Sequence, residues 1–143
     1  MTSRWLEAMP VLAKDSPKAQ LGPAQLAWLG DAVWELHQRL RHCHHSSLAR
    51  LLHGAVVEEV RAEAQARALH MLEASLSSGE RDLVRRGRNK AGRGPRRTAA
   101  SIYAQATGFE TMLGWLFLTN PGRLAELLDQ LESTDPSSLP AKP

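Results

Sequence analysis

Two segments of this 143-residue chain are so apolar that they must pack inside a fold, yet each carries an acid. Asp31 stands in LAWLGDAVWEL (residues 26–36), and Glu110 stands in TGFETMLGWLFL (residues 107–118). Burial of an ionised carboxylate is costly unless a cation, a metal ion or hydrogen bonds compensate it. We therefore predict that the two segments are helices that pack together, so that Asp31 and Glu110 can share one divalent cation.

Apolar residues recur at helical spacing along most of the chain, and residues that favour strands are scarce. Leu, Ala, Arg and Glu are abundant, a balance that favours helix. We predict an all-α fold with a single domain over 20–132, after an N-terminal extension (1–19) and before a disordered Ser/Pro-rich tail (133–143). The predicted helices span 3–14, 23–42, 46–52, 56–75, 78–87, 98–119 and 121–132.

Polar residues on the predicted helix 56–75 are expected to face solvent. Its apolar stripe includes Val57, Ala68 and Leu72, whereas Arg61 and Arg67 are expected to point away from it. This helix is interpreted as ordinary scaffold.

The cysteine and hydropathy patterns bear on compartment. Cys43 is the single cysteine, so no intrachain disulfide can form. The N-terminus lacks a signal-peptide pattern, and no apolar run is long enough to cross a bilayer, so a cytoplasmic protein without membrane partners is predicted. The histidines around Cys43 lack the spacing of a zinc site.

Positive charge is concentrated in one segment. Residues 81–97 contain eight basic side chains and one acid, a net charge of +7, whereas the rest of the chain carries −4. Three glycines and a proline in GRNKAGRGPRR (87–97) predict a mobile loop. Such an asymmetry indicates contact with a polyanion, although a merely solvated basic loop stays an alternative. The candidate residues for this contact are Arg85, Arg86, Arg88, Asn89, Lys90, Arg93, Arg96 and Arg97.

The residues alone leave the role of the acids open. Asp31 can be a salt-bridged or capping acid as readily as a metal ligand, and Glu35, one turn later on the same face, can pack or pair. Trp28, Trp34 and Trp115 are predicted in the core or at a subunit interface rather than stacked on bases.

Three motifs in order resemble the ribonuclease III family. LAWLGDAVWEL is similar to the signature of its catalytic domain, TGFETMLGWLFL to its second acidic motif, and RRGRNKAG (85–92) to its small bacterial branch, mini-ribonuclease III. The resemblance implies that Asp31 and Glu110 are catalytic metal ligands, supported by Glu35 and Thr107. Full-size family members have further acids where this chain has Ala27 and Thr107, a departure shared with the small branch.

The resemblance also implies an activity and partners. The expected protein is a Mg²⁺-dependent endoribonuclease, with Mn²⁺ as a substitute, that cuts double-stranded RNA and leaves 5′-phosphates. It would act as a homodimer on the 23S ribosomal RNA precursor, with a ribosomal protein as a further partner. Two alternatives are a non-catalytic double-stranded-RNA-binding module and a helical DNA-binding regulator, the latter disfavoured because no helix-turn-helix pattern is evident.

Overall fold

The computed structural model describes residues 21–45 and 54–134, and these residues form five α-helices without a strand. The helices are α1 (Pro23–His45), α2 (Gly54–Leu72), α3 (Ser78–Lys90), α4 (Ala100–Thr119) and α5 (Pro121–Thr134), with a 3₁₀ turn at Glu73–Ser75. The predicted all-α fold is confirmed. The extension 1–19, the predicted helices 3–14 and 46–52, and the tail from 135 onward lie outside the described residues. No helix of the described part is long and apolar enough to cross a membrane.

Helix α4 lies at the centre, and α1 packs against it at very short range. A side-chain carbon on Gly30 of α1 would overlap the backbone carbonyl of Glu110, and one on Gly114 of α4 would overlap the carbonyl of Leu26. The two backbones therefore touch at two points, which only glycine permits. This contact sets Asp31, the neighbour of Gly30, beside Glu110.

The core forms around the apolar side chains of α4. Phe109, Met112 and Leu113 are fully buried there, and the Trp34 ring of α1 stands edge-on to Phe109 with centroids 5.2 Å apart. Leu124, Leu127 and Leu128 of α5 are also fully buried, so α5 belongs to this core as well. The apolar segment 107–118 is thus mostly interior, as predicted, whereas the segment 26–36 buries one face and leaves Trp28 and Leu36 exposed.

Helix α3 continues beyond its predicted end at Gly87 and reaches Lys90. The prediction was wrong because Gly87 lies inside the helix, where a side chain would collide with Thr111 and Gly108 of α4. Residues 88–90 are therefore helical, and the true connection spans 91–99. Gly92 and Gly94 have φ angles of 68° and 76°, the left-handed conformation that glycine adopts without strain.

An ion pair fastens the start of α3 to α5. Ser77 and Glu80 form a capping box, and the buried Glu80 carboxylate also accepts hydrogen bonds from Arg123 at 2.8 and 3.0 Å. Arg123 donates another hydrogen bond to the Ser75 carbonyl at 2.7 Å. The Arg123 guanidinium holds the pKa of Glu80 below its ordinary value. Helix α3 and its basic side chains are therefore anchored to the core at the N-terminal end.

Candidate active site

Asp31 and Glu110 line the same cavity, which has a volume of about 530 Å³. Helices α1 and α4 contribute the two acids, and α2 contributes Arg61 and Gln65 to the same lining. Lys90, the last residue of α3, lies at the edge. The structure thus brings together the two acids that stand far apart in the sequence.

Asp31 is not alone in this cavity, because Arg61 pairs with it. Arg61 Nη1 lies 3.1 Å from Asp31 Oδ1, and Nη2 lies 3.4 Å from Glu35 Oε1. Glu35 also accepts a hydrogen bond from Arg39 at 2.7 Å. The salt-bridge interpretation that the sequence left open for Asp31 and Glu35 therefore describes the structure as it stands. The expectation that Arg61 faces solvent is wrong.

Arg61 was missed because helical spacing alone assigned it to the outer face of α2. Its side chain is only 24% exposed, and Gln65, one turn later, is 1% exposed. Two long polar side chains four residues apart lie on one face of a helix. The pair Arg61 and Gln65 was therefore the available signal in the sequence, because two such groups on a buried face need polar partners on other helices.

Burial, followed by the negative charge of Asp31, raises the pKa of the Glu110 carboxyl to about 7. Gln65 and Arg61 act in the opposite direction. Among the described residues, however, the Gln65 Nε2 donor has no partner in normal hydrogen-bond geometry. The pKa of Glu110 therefore lies near neutral pH. A cation between the two carboxylates would relieve the repulsion between their charges.

The donor set fits a hydrated Mg²⁺ ion. Within residues 21–45 and 54–134 there is no cluster of three or more His, Cys, Asp or Glu side chains that could hold a metal ion. Mg²⁺ does not need such a cage, because it keeps several water ligands and is commonly bound by one or two carboxylates together with substrate phosphates. Asp31 and Glu110 supply that number of carboxylates in one cavity.

The basic side chains of α3 divide between two faces. With 3.6 residues per turn, Arg86 and Lys90 lie on one side of the helix and Arg81, Arg85 and Arg88 on another. Lys90 borders the cavity with the two acids, whereas Arg81, Arg85 and Arg88 border a second cavity of about 420 Å³. The predicted loop over 87–97 is therefore wrong for its first four residues, 87–90, which belong to the helix.

The 91–99 connection is held by hydrogen bonds of its own. Arg93 donates to the carbonyls of Pro95 and Thr98 at 3.2 and 3.0 Å, so its guanidinium organises the loop. Gly94 packs against the ring of Tyr103, where any side chain would collide. Arg96 and Arg97 are exposed on the same connection.

Trp34 and Trp28 have different environments, although the sequence assigned them alike. Trp34 is buried in the core as predicted. Trp28 is 82% exposed beside the cavity that Asp31 and Glu110 line, the acidic cavity, so its predicted core position is wrong. Trp28 lies three residues before Asp31, on the side of α1 that borders the open cavity. A subunit interface, the other predicted position, stays a prediction.

A profile of the Ribonuclease III domain matches residues 24–121. The chain belongs to the ribonuclease III family. It is 47% identical over 125 residues to a Mini-ribonuclease 3 of Thermosynechococcus vestitus, covering 87% of this chain and 83% of the relative. It is also 50% identical over 122 residues to a Mini-ribonuclease 3 of a Synechococcus strain, covering 84% and 88% of the two chains. The mini-ribonuclease III resemblance predicted from the motifs is confirmed.

Family membership identifies the chain as an endoribonuclease that acts on double-stranded RNA and leaves 5′-phosphomonoesters. In this ribonuclease III domain, Ala27 is buried and lines the cavity where full-size members are expected to carry an acid. Thr107, the other departure, donates its hydroxyl to the Tyr103 carbonyl at 2.9 Å, one turn back on α4. Neither residue adds a negative charge, so the acids among the described lining residues of the cavity are Asp31 and Glu110.

Proposed function

We propose that the protein hydrolyses double-stranded RNA with Mg²⁺ bound between Asp31 and Glu110. The observation that carries this proposal is the shared cavity, in which burial and the charge of Asp31 raise the pKa of Glu110 to about 7. Mg²⁺ bound there would supply the positive charge that the scissile phosphate and the leaving 3′ oxygen require. Mn²⁺ is the expected substitute, since it also accepts carboxylate and water ligands.

The chain's own residues have distinct proposed roles in this site. Asp31 and Glu110 bind the ion, and Glu35 supports Asp31 indirectly by holding Arg61. Thr107, whose hydroxyl hydrogen is used within α4, lines the cavity and is proposed as a supporting residue through packing. Lys90 lies at the cavity edge, where an ammonium group can neutralise a phosphate next to the scissile one.

RNA binding is proposed for the basic side chains that share the side of the molecule with the acids. Arg86 and Lys90 of α3 lie on the face that leads to the cavity, and the 91–99 connection continues from that face with Arg96 and Arg97. Asn89 is exposed in the last turn of α3 and can donate to phosphate or a 2′-hydroxyl. The support for Arg85 and Arg93 is weaker, since Arg85 pairs with Asp82 and Arg93 binds loop carbonyls.

The two faces of α3 make different predictions for salt dependence. Replacing Arg86 and Lys90 together by Ala should lower duplex affinity at moderate salt by about tenfold or more. It should also flatten the dependence of log Kd on log salt by up to roughly 1.8, because each lost phosphate contact on a duplex is expected to change the slope by about 0.9. Filter binding or fluorescence anisotropy at salt concentrations from roughly 50 to 300 mM measures both the duplex affinity and the slope.

The matched control removes the same charge from the other face. Arg85→Ala with Arg88→Ala alters two side chains that border the second cavity instead of the acidic one. We expect a clearly smaller loss of affinity and a smaller change of slope in this variant. Equal effects from both pairs would contradict the assignment of one RNA-binding face.

The physiological role is proposed from the small branch of the family. Maturation of the 23S ribosomal RNA precursor in the cytoplasm by a homodimer is the expected task, with a ribosomal protein on the precursor as a further partner. The 20–132 segment is proposed as the catalytic domain.

Removal of the metal tests the proposed chemistry. Long double-stranded RNA incubated with the protein and Mg²⁺ should be cut to short duplexes with 5′-phosphates, and excess EDTA should stop cleavage completely. Readdition of Mg²⁺ or Mn²⁺ should restore it, whereas Ca²⁺, which prefers longer bonds and more ligands, should support little turnover. Cleavage that persists in EDTA after exhaustive dialysis would exclude the metal mechanism.

A further inference from the structure

Arg61 occupies the position of a counter-ion in the acidic cavity. Its two terminal nitrogens bridge Asp31 and Glu35 at 3.1 and 3.4 Å, so one guanidinium connects α2 to two successive turns of α1. A planar guanidinium with a fixed fork of donors suits such bridging. Arg61 also lines the cavity that contains Glu110.

The charges around the cavity explain why a cation is needed there. Asp31, Glu35 and Glu110 are three acids on neighbouring turns of α1 and α4, and Arg61 is the cation that reaches two of them. Arg39 contributes to Glu35 only, from an exposed position. Without Arg61, Asp31 would face Glu110 with no positive charge among its described hydrogen-bond partners.

Arg61 and a metal ion compete for the same carboxylate. Asp31 is the proposed metal ligand and is also the closer partner of Arg61. An ion that takes the Asp31 oxygens must displace the guanidinium or share them with it, and two cations a few ångströms apart repel each other. Glu35 offers the displaced guanidinium a second carboxylate that is already within reach.

The geometry points to Arg61 as an exchangeable counter-ion, a positioning residue that holds Asp31 in the metal-free protein, yields it to the metal ion and then stays on Glu35. This inference rests on the proposed metal site. It assigns Glu35 a role that differs from binding the ion: Glu35 keeps Arg61 close enough to return when the ion leaves. Arg61 thereby stabilises the metal-free protein and lowers the affinity of the site for the metal ion.

Metal affinity without RNA tests this role directly. Free Mn²⁺ is measured by electron paramagnetic resonance during titration of the full chain, for the unaltered protein, Arg61→Gln and Arg67→Gln. Arg67 lies on the same helix, is exposed, and its loss changes the net charge equally. We expect Arg61→Gln to bind Mn²⁺ roughly threefold to tenfold more tightly, because both the competing ion pair and the repulsion between cations are lost. Arg67→Gln should bind as the unaltered protein does.

A second readout is the melting temperature, measured first without metal and then with it. In EDTA, Arg61→Gln should melt several degrees below Arg67→Gln, because Asp31 and Glu35 lose the cation that bridges them, and added Mn²⁺ should close most of that gap. If Arg61→Gln fails to fold even with Mn²⁺, Arg61→Lys serves instead. Lysine keeps the charge but cannot bridge two carboxylates with a planar fork, so a smaller tightening is expected.

A double-mutant comparison separates the counter-ion role from direct action of Glu35 on the metal. Glu35→Gln alone should weaken Mn²⁺ binding, because Arg61 then has no alternative carboxylate, but it should have little effect when Arg61 is already Gln. Equal or weaker Mn²⁺ binding in Arg61→Gln than in Arg67→Gln would overturn the inference. Mn²⁺ binding that is unchanged by Asp31→Asn would instead overturn the proposed metal site, and this inference with it.

Discussion

Asp31→Asn is expected to abolish cleavage of double-stranded RNA, with kcat lowered by about a thousandfold or more and duplex affinity nearly unchanged. Loss of an outer-shell partner of a metal ligand commonly costs 10–100-fold, and loss of the ligand itself should exceed that range. Asparagine keeps the size and one oxygen of the side chain but removes the charge that a divalent cation requires. Single-turnover cleavage and anisotropy measured on the same duplex separate the two effects.

Glu110→Gln should behave in the same way, and Glu126→Gln is its matched control. Glu126 is exposed on α5 and pairs with Arg123 at 3.2 Å, away from the acidic cavity, so its loss changes the net charge equally without touching the site. We expect Glu126→Gln to cleave at close to the unaltered rate. A folded Asp31→Asn protein that cleaves within about tenfold of that rate would remove Asp31 from the proposed pair of ligands, since the loss would then resemble that of an outer-shell residue.

Gly30→Ala is expected to produce the largest loss of stability, about 3 kcal/mol in the free energy of unfolding, which is the upper end of the range for overpacking. The new methyl group would overlap the carbonyl of Glu110, a backbone group that cannot rotate aside. Helices α1 and α4 must then separate or slide, which moves Asp31 away from Glu110. Cleavage should therefore fall even at temperatures where the variant stays folded. Urea unfolding followed by circular dichroism measures the stability.

Gly79→Ala is the matched control for this substitution. Gly79 lies in the first turn of α3, where an added carbon would meet nothing closer than Ser77 Oγ at 3.9 Å. Alanine has the higher helix propensity, so a neutral effect or a gain of up to about 1 kcal/mol is expected. A Gly30→Ala protein as stable as the unaltered one would show that α1 and α4 are less closely packed than the structure indicates.

Helical periodicity in the sequence predicted correctly those helices whose apolar side chains pack into the core. The start of α1 at Pro23 and the central apolar helix around Glu110 follow from local pattern, since proline suits the first turn and a run of large apolar side chains must be buried. The two acids were found for the same reason, because a charge inside such a run needs a partner. These features depend on neighbours in the chain.

The end of α3 and the position of Arg61 could not be read in that way. Gly87 looked like a helix terminator, but it is an interior residue whose missing side chain admits Thr111 and Gly108 of α4. Arg61 looked like a solvated residue, but it faces two acids that lie on α1. In both cases the deciding partner is distant in the sequence, so local propensity had no information about it.

Local sequence therefore determined the helical class of the fold and the identity of the two acids, because burial of apolar side chains and the cost of a buried charge act on short segments. Only the packed helices decided that Asp31 and Glu110 share one cavity, that Arg61 stands between Asp31 and Glu35, and that the arginines of α3 divide between two faces. For the two acids the physical reason is the close contact of α1 with α4 at Gly30 and Gly114, where the backbones meet and fix Asp31 beside Glu110. For Arg61 and the arginines of α3 the reason is that their helices pack against partners distant in the sequence.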